Sequence, residues 1–231
     1  MARLGRYFIE DQALHVIQRG NDRQAVFYAA QDYARYRDWL VEISRAHDAR
    51  VHAWVLMTNH VHLLVTPGTP RNLPRMMQAL GRRYVGYVNR TYRRTGTLWE
   101  GRYRAAPVES DAHFLTCSRY IELNPVRARM VAGPADYSWS SYHANACGTA
   151  DPLVTPHALY LALGADASER REAYRALFAE APGDEFVEAL RAATNGGWAL
   201  GSERFQRQIA AIGARRATPL PKGRKAADVG A

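Results

Sequence analysis

Cysteine is scarce in this 231-residue chain: Cys117 and Cys147 are its only two. Two are too few for a disulfide framework, so a stapled secreted scaffold is excluded and a reducing cytoplasm is the natural setting. Long apolar runs are missing as well. None approaches the roughly 18 residues that would span a bilayer, and no apolar h-region follows Met1, so neither a membrane helix nor a secretory signal is predicted. No internal repeat or low-complexity block stands out. What is present is enough apolar sequence for a real core, at 47% of residues, in a length that allows one large domain or one domain plus an appendage. Acids are outnumbered, 22 against 31 Lys and Arg, giving a net charge of +9. That excess points to a polyanionic partner.

The acids are thinnest between Arg71 and Arg104, where nine arginines face a single acid, Glu100. A helix over Leu73 to Arg94 would put Leu73, Met77, Leu80, Tyr84, Tyr87, Val88 and Thr91 on one stripe. Arg75, Arg82, Arg90 and Arg93 would then lie on the other side. A merely solvated face normally mixes signs, so this one is expected to contact phosphate, to which arginine forks are matched. Trp99, Arg102 and Tyr103 adjoin it. The two aromatics are expected to stack on unpaired bases, unless Trp99 closes the core.

The coarse element order is strand Ala13 to Arg19, helix Gln31 to His47, strands Val51 to Met57 and His60 to Thr66 joined by a tight turn, helix Leu73 to Arg94, strand Arg102 to Val108 and helix Asp111 to Leu123. This is β-α-β-β-α-β with an added helix. The pattern predicts an α+β, ferredoxin-like fold, an antiparallel sheet with helices packed on one face. Gly148 to Pro152 marks a boundary, dividing a domain over 1–148 from a helical appendage over 149–214. A basic stretch over 215–231, containing Arg215, Arg216, Lys222, Arg224 and Lys225, is expected to be disordered.

The most informative pair is His60 and His62, with Val61 between them. Side chains two apart on a strand point to the same face, so both imidazoles can reach one ion while Val61 faces the core. An isolated H-x-H also fits two hydrogen-bonded structural histidines, and the context decides between them. Downstream, Ser110 reads as a helix N-cap, Asp111 suits the positive helix end and Pro125 stops the helix. Between them His113, Cys117, Tyr120 and Asn124 share one helical face. A phenol and an amide oxygen one turn apart can approach the same ion. Two neutral imidazoles and an amide oxygen form an incomplete shell that leaves room for a phosphate oxygen and suits Mg²⁺ or Mn²⁺ better than structural Zn²⁺. His52 and His113 read as core or surface histidines.

His60-Val61-His62 with Tyr120-Ile-Glu-Leu-Asn124-Pro125-Val126-Arg127 resembles the HUH single-strand transposases with one catalytic tyrosine, and within them the REP-associated tyrosine transposases of bacteria. Further matches are His15-Val-Ile-Gln-Arg-Gly-Asn21, Val55-Leu-Met-Thr-Asn59, Leu98-Trp-Glu-Gly-Arg-Tyr103 and Tyr137-Ser-Trp-Ser-Ser-Tyr142. The resemblance implies that His60, His62 and Asn124 are metal ligands and Tyr120 the nucleophile. It also implies a covalent 5′-phosphotyrosine with a free 3′ hydroxyl, and a single-stranded hairpin DNA substrate. The expected setting is cytoplasmic and nucleoid-associated, and a homodimer is compatible with the reading. Two alternatives stay open, a non-catalytic hairpin-DNA-binding regulator with a residual metal site and a metallohydrolase using water as nucleophile. Relaxases and rolling-circle initiators typically add a third histidine to the strand motif, where this chain has Leu63-Leu64-Val65.

Overall fold

A computed structural model describes Tyr7 and residues 9–219. Strands β1 (Leu14–Arg19), β2 (Ala49–Met57), β3 (His60–Pro67) and β4 (Arg104–Pro107) form one sheet in the order β2-β3-β1-β4, every neighbouring pair antiparallel. Helices α1 (Ala30–Ala46) and α2 (Asn72–Thr91) make the two crossovers, so the expected β-α-β-β-α-β frame is present. Period-two burial explains the packing. Val16, Trp54, Val61 and Leu63 point to one face of the sheet and pack against Tyr36 and Leu40 of α1 and Leu80 and Tyr84 of α2. Each such side chain contributes about 1.5–3 kcal/mol by leaving water.

Residues of opposite parity build a second layer. Val55, Leu64 and Ala106 pack against Phe114, Cys117 and Ile121 of α3 (Ser110–Glu122). After α3 the chain makes the short turn α4 (Asn124–Arg127), then α5 (Tyr142–Cys147), α6 (Ala158–Leu161), α7 (Ala167–Ala176), α8 (Asp184–Gly196) and α9 (Glu203–Ile212). Val187 and Leu190 of α8 complete the second layer, and Leu200 forms a bridge with Val108. The sheet is therefore covered on both faces, with α1 and α2 on one side and α3 and α8 on the other. Among the described residues no helix is long and apolar enough to cross a membrane.

Several local features depart from the expectations. Ser110 is the first residue of α3 rather than its cap; Glu109 is the cap residue, and its carboxylate accepts from the backbone and hydroxyl of Ser202 instead. Helix α2 ends at Thr91, and Arg93 sits beyond it in a left-handed turn at φ 50°. Residues 215–219, expected in a disordered tail, are docked. Ala217 is buried and its carbonyl accepts from Ala199, while Arg215 lies 3.9 Å over the Tyr7 ring. Lys222, Arg224 and Lys225 lie outside the described residues.

The Tyr137 to Tyr142 motif runs along the free edge of β2: Leu56 donates to Trp139 O, Ser141 donates to Trp54 O, and the Tyr137 hydroxyl donates to Leu56 O at 2.7 Å. It also delivers Ser141 to Glu122, a fully buried carboxyl at the end of α3. Glu122 accepts from Ser141 Oγ at 2.5 Å, Asn145 Nδ2 at 2.9 Å and Tyr174 Oη at 2.9 Å. Burial pushes its pKa from 4.5 up to about 7, against the lowering effect of these three donors. Below pH 4.5 both folded and unfolded chains hold this proton. Between 4.5 and 7 only the folded chain does, so stability falls as pH rises, and above 7 the loss is complete, on the order of 3 kcal/mol. Glu122→Gln cannot ionise, and its amide fits the same place once the Tyr174 hydroxyl turns to accept. Urea titrations at pH 5 and pH 8 should show the parent losing more stability than Glu122→Gln; equal losses would count against a proton held at Glu122.

Candidate active site

The two-residue turn Thr58-Asn59 launches β3 so that His60 and His62 lie on the α3 side of the sheet, while Val61 and Leu63 enter the α1/α2 core. Helix α3 crosses that side and brings Tyr120, 97% buried, edge-on to His62 with ring centres 5.8 Å apart. Pro125 ends α3 and opens α4, holding Asn124 one turn beyond Tyr120. His60, His62, Tyr120 and Asn124 all line one cavity of about 430 Å³. Residues from two distant segments, predicted separately, thus meet.

The hydrogen bonds orient these groups. The Asn124 amide NH₂ donates to the Tyr120 carbonyl at 2.9 Å, and Oδ1 has no hydrogen-bond partner among the described residues. The Asn59 NH₂ donates to the Arg23 carbonyl at 2.9 Å, so Asn59 Oδ1 is the group that meets His60 Nδ1 at 2.6 Å. His60 Nδ1 must therefore carry the proton, and Nε2 keeps its lone pair. The His60 and His62 rings lie 4.9 Å apart. Burial, with the Arg19 charge nearby, lowers His60 to about 4, and burial together with His60, His15, Arg19 and Arg191 holds His62 well below 6.5. Both imidazoles are neutral at physiological pH. Two neutral imidazoles and an amide oxygen fit a divalent ion, and they would be its ligands. The Tyr120 hydroxyl has no hydrogen-bond partner among the described residues.

The expected DNA-contacting residues divide. Arg75, Arg82 and Arg90 project from the exposed side of α2, as predicted, and Arg93 is exposed after it. All four belong to the opposite side of the sheet from the cavity. Trp99 and Tyr103, expected as stacking platforms, are instead buried at 6% and 7% exposure in the α1/α2 core. The reason is a bridge between Trp99 and Gly20 that draws the segment inward, where the indole meets Tyr36 edge to face and Tyr84 at a tilt. Gly20 permits this fold-back because a Cβ there would lie 2.3 Å from Gln24 O. Arg102 stays exposed and lines a recess with Arg19, Arg23, Glu100 and Arg104, which adjoins the cavity through the shared Arg19 and Arg23.

Sequence reasoning missed part of the lining. His15 of β1, 1% exposed, lies parallel to His62 and side by side with it, ring centres 5.0 Å apart and its Nε2 2.8 Å from His62 Nδ1. Arg191, Thr194 and Asn195 enter from α8, and Arg127 from α4. Period two along β1 puts His15, Ile17 and Arg19 on one face, but which face meets β3 histidines depends on register. His52 and His113 take no part in the cavity, as expected: His52 is bonded to Thr155 O and Thr66 Oγ1, and His113 packs against Phe186.

A family model for IS200-like transposases matches residues 9–124, half of the chain, a span that includes His60, His62, Tyr120 and Asn124. No curated protein matches the chain. Among solved structures, a REP-associated tyrosine transposase bound to a REP hairpin aligns at 18% identity and a TM-score of 0.53, covering 68% of this chain and 93% of that one. A protein assigned as a transposase from Deinococcus radiodurans R1 aligns at 21% identity and a TM-score of 0.37, covering 56% and 92%. At 18% identity and a TM-score above 0.5, the REP-associated structure speaks for the shared fold alone. The family match over the half of the sequence that carries the histidine pair and the tyrosine goes further: the chain belongs to the IS200-like transposase family of DNA-cleaving enzymes.

Proposed function

We propose that this chain is a divalent-metal-dependent endonuclease and strand transferase for single-stranded, hairpin-forming DNA. The observation that carries the reading is the convergence of Tyr120, His60, His62 and Asn124 on one cavity. Tyr120 Oη is the nucleophile. As it gives up its proton it bonds to the phosphorus, the bond from phosphorus to the 3′ oxygen breaks, and that oxygen takes up one proton in turn, so a free 3′ hydroxyl leaves while the 5′ phosphate stays on the tyrosine. The covalent phosphotyrosine conserves the bond energy for rejoining. A divalent ion, Mg²⁺ or Mn²⁺, bound by His60, His62 and Asn124 would draw charge from a non-bridging phosphate oxygen. Packing of Tyr120 against His62 holds the phenol in place for in-line attack. The hairpin class rests on the family resemblance and on the hairpin held by the REP-associated transposase of like fold.

Incubation with Mn²⁺ and labelled single-stranded hairpins should give a protein–DNA adduct that survives denaturing electrophoresis. A hydrolase using water, or a binder that does not cut, gives none.

The arginine recess is the path we assign to the strand as it approaches Tyr120, because it opens on the cavity whereas α2 lies across the sheet. Backbone pairing of Glu100 N–H with Arg19 O at 2.8 Å holds the recess open beside β1. Replacing Arg19, Arg102 and Arg104 together with glutamine should weaken binding and lower the slope of log affinity against log salt by about 0.7 for each phosphate no longer neutralised. The quadruple glutamine variant of Arg75, Arg82, Arg90 and Arg93 should cleave as the parent does. The reverse ranking, read by fluorescence titration at several salt concentrations, would move the strand to α2.

A further inference from the structure

We propose that Thr194 of α8 sets the tautomer of His62 through His15, so that His62 presents a bare Nε2 to the ion site. The inference rests on His62 being a metal ligand, as proposed above, and it follows from counting hydrogens. The Thr194 hydroxyl has one, and donates it to the Leu190 carbonyl at 2.8 Å. Toward His15 Nδ1, 2.7 Å away, Thr194 Oγ1 can therefore only accept, and His15 Nδ1 must carry a proton. His15 is 1% exposed and both its ring nitrogens face neutral groups, so it holds a single N–H. Its Nε2 is then an acceptor, and the partner 2.8 Å away, His62 Nδ1, must be the donor. One proton on His62 Nδ1 leaves Nε2 with its lone pair.

The opposite tautomer would aim an N–H at the cation. His60 reaches the same state by a different device, the Asn59 amide fixed on Arg23 O. Both ligands are thus preset before any ion arrives, one by a turn residue of the histidine motif and one by a helix about 130 residues further along the chain. Thr194 lies outside the span matched by the family model, which ends at Asn124. Region 149–214 contributes to the chemistry through this contact, with His15 and Thr194 as positioning residues that act through His62.

Long-range proton–nitrogen spectra of the metal-free full chain, labelled with ¹⁵N-histidine, should show both His15 and His62 protonated at Nδ1. Thr194→Val removes the acceptor at constant shape; His62 should then populate both tautomers, and calorimetric Mn²⁺ affinity should fall roughly 10–100-fold, as for other outer-shell losses. Thr194→Ser, which restores the hydroxyl, should recover both readouts. A wild-type His62 protonated at Nε2 overturns the proposal, as does a Thr194→Val chain with unaltered tautomers and unaltered affinity. Should the valine variant fail to fold, the wild-type spectrum decides. Failure of the wild-type chain to bind Mn²⁺ would sink the metal reading instead, with the hydrogen relay still decided by the metal-free spectrum.

Discussion

Tyr120→Phe should abolish strand cleavage, by on the order of 10⁴-fold or more as for other lost nucleophiles, and remove the covalent adduct entirely. Hairpin binding should be close to that of the parent. The separation follows from what the side chain does. Its ring is packed edge-on to His15 and His62, at 5.9 and 5.8 Å, and phenylalanine keeps those contacts. Its hydroxyl makes no hydrogen bond to the described residues, so deletion of that one oxygen leaves no protein partner unsatisfied and costs the fold little. The arginines assigned to the strand are untouched. Cleavage and adduct yield on denaturing gels, beside hairpin affinity by titration, check both halves. Residual cutting at the parent rate would eliminate Tyr120 as nucleophile, and loss of binding along with cutting would mean that the phenol holds DNA rather than attacks it.

The parts of the site that were legible in sequence are those that local periodicity fixes. His60 and His62 share a face because strands repeat every two residues, and Tyr120 and Asn124 share one because helices repeat every 3.6. The β-α-β-β-α-β order was readable for the same reason, as was the exposed arginine side of α2. What local periodicity could not give is which elements face one another. His15 reaches His62 only because β1 pairs with β3 in a register that sets Ile17 opposite His62, placing His15 diagonally across. Arg191, Thr194 and Asn195 arrive on α8, far along the chain, after a composition change that looked like the edge of a separate unit. Trp99 and Tyr103 misled for a related reason. Aromatics interleaved with arginines suit base stacking, yet the Gly20 fold-back, invisible to any periodic pattern, turns both into the core. The α2 arginines were correctly placed on an exposed surface, while the side of the sheet on which α2 lies was settled by packing.

His60→Ala and His62→Ala should each abolish metal-dependent cutting, and EDTA should stop the parent until Mn²⁺ is restored. Each substitution removes one of two neutral imidazoles from a donor set with little redundancy. In the site proposed above the third contributor is the Asn124 amide, which lines the same cavity as the two histidines. The loss of ion affinity should accordingly exceed the roughly 10–100-fold expected of an outer-shell change. Asn124→Ala should fall short of this: an amide oxygen is a weaker ligand than an imidazole, so cutting survives at a raised metal requirement. The two histidine variants differ in their side effects. His60→Ala frees the half-exposed Asn59 amide at the β2–β3 turn, whereas His62→Ala leaves buried His15 without the donor to its Nε2, so it should be the less stable protein. Thermal unfolding with and without Mn²⁺ separates these effects without reference to catalysis. Binding stabilises the folded chain by about 2.7 kcal/mol at 100 times the dissociation constant, and both alanine variants should lose that increment whatever their starting stability. A parent chain that Mn²⁺ does not stabilise, or one that cuts in EDTA, would remove the ion from the mechanism and leave Tyr120 to act with the cavity arginines alone.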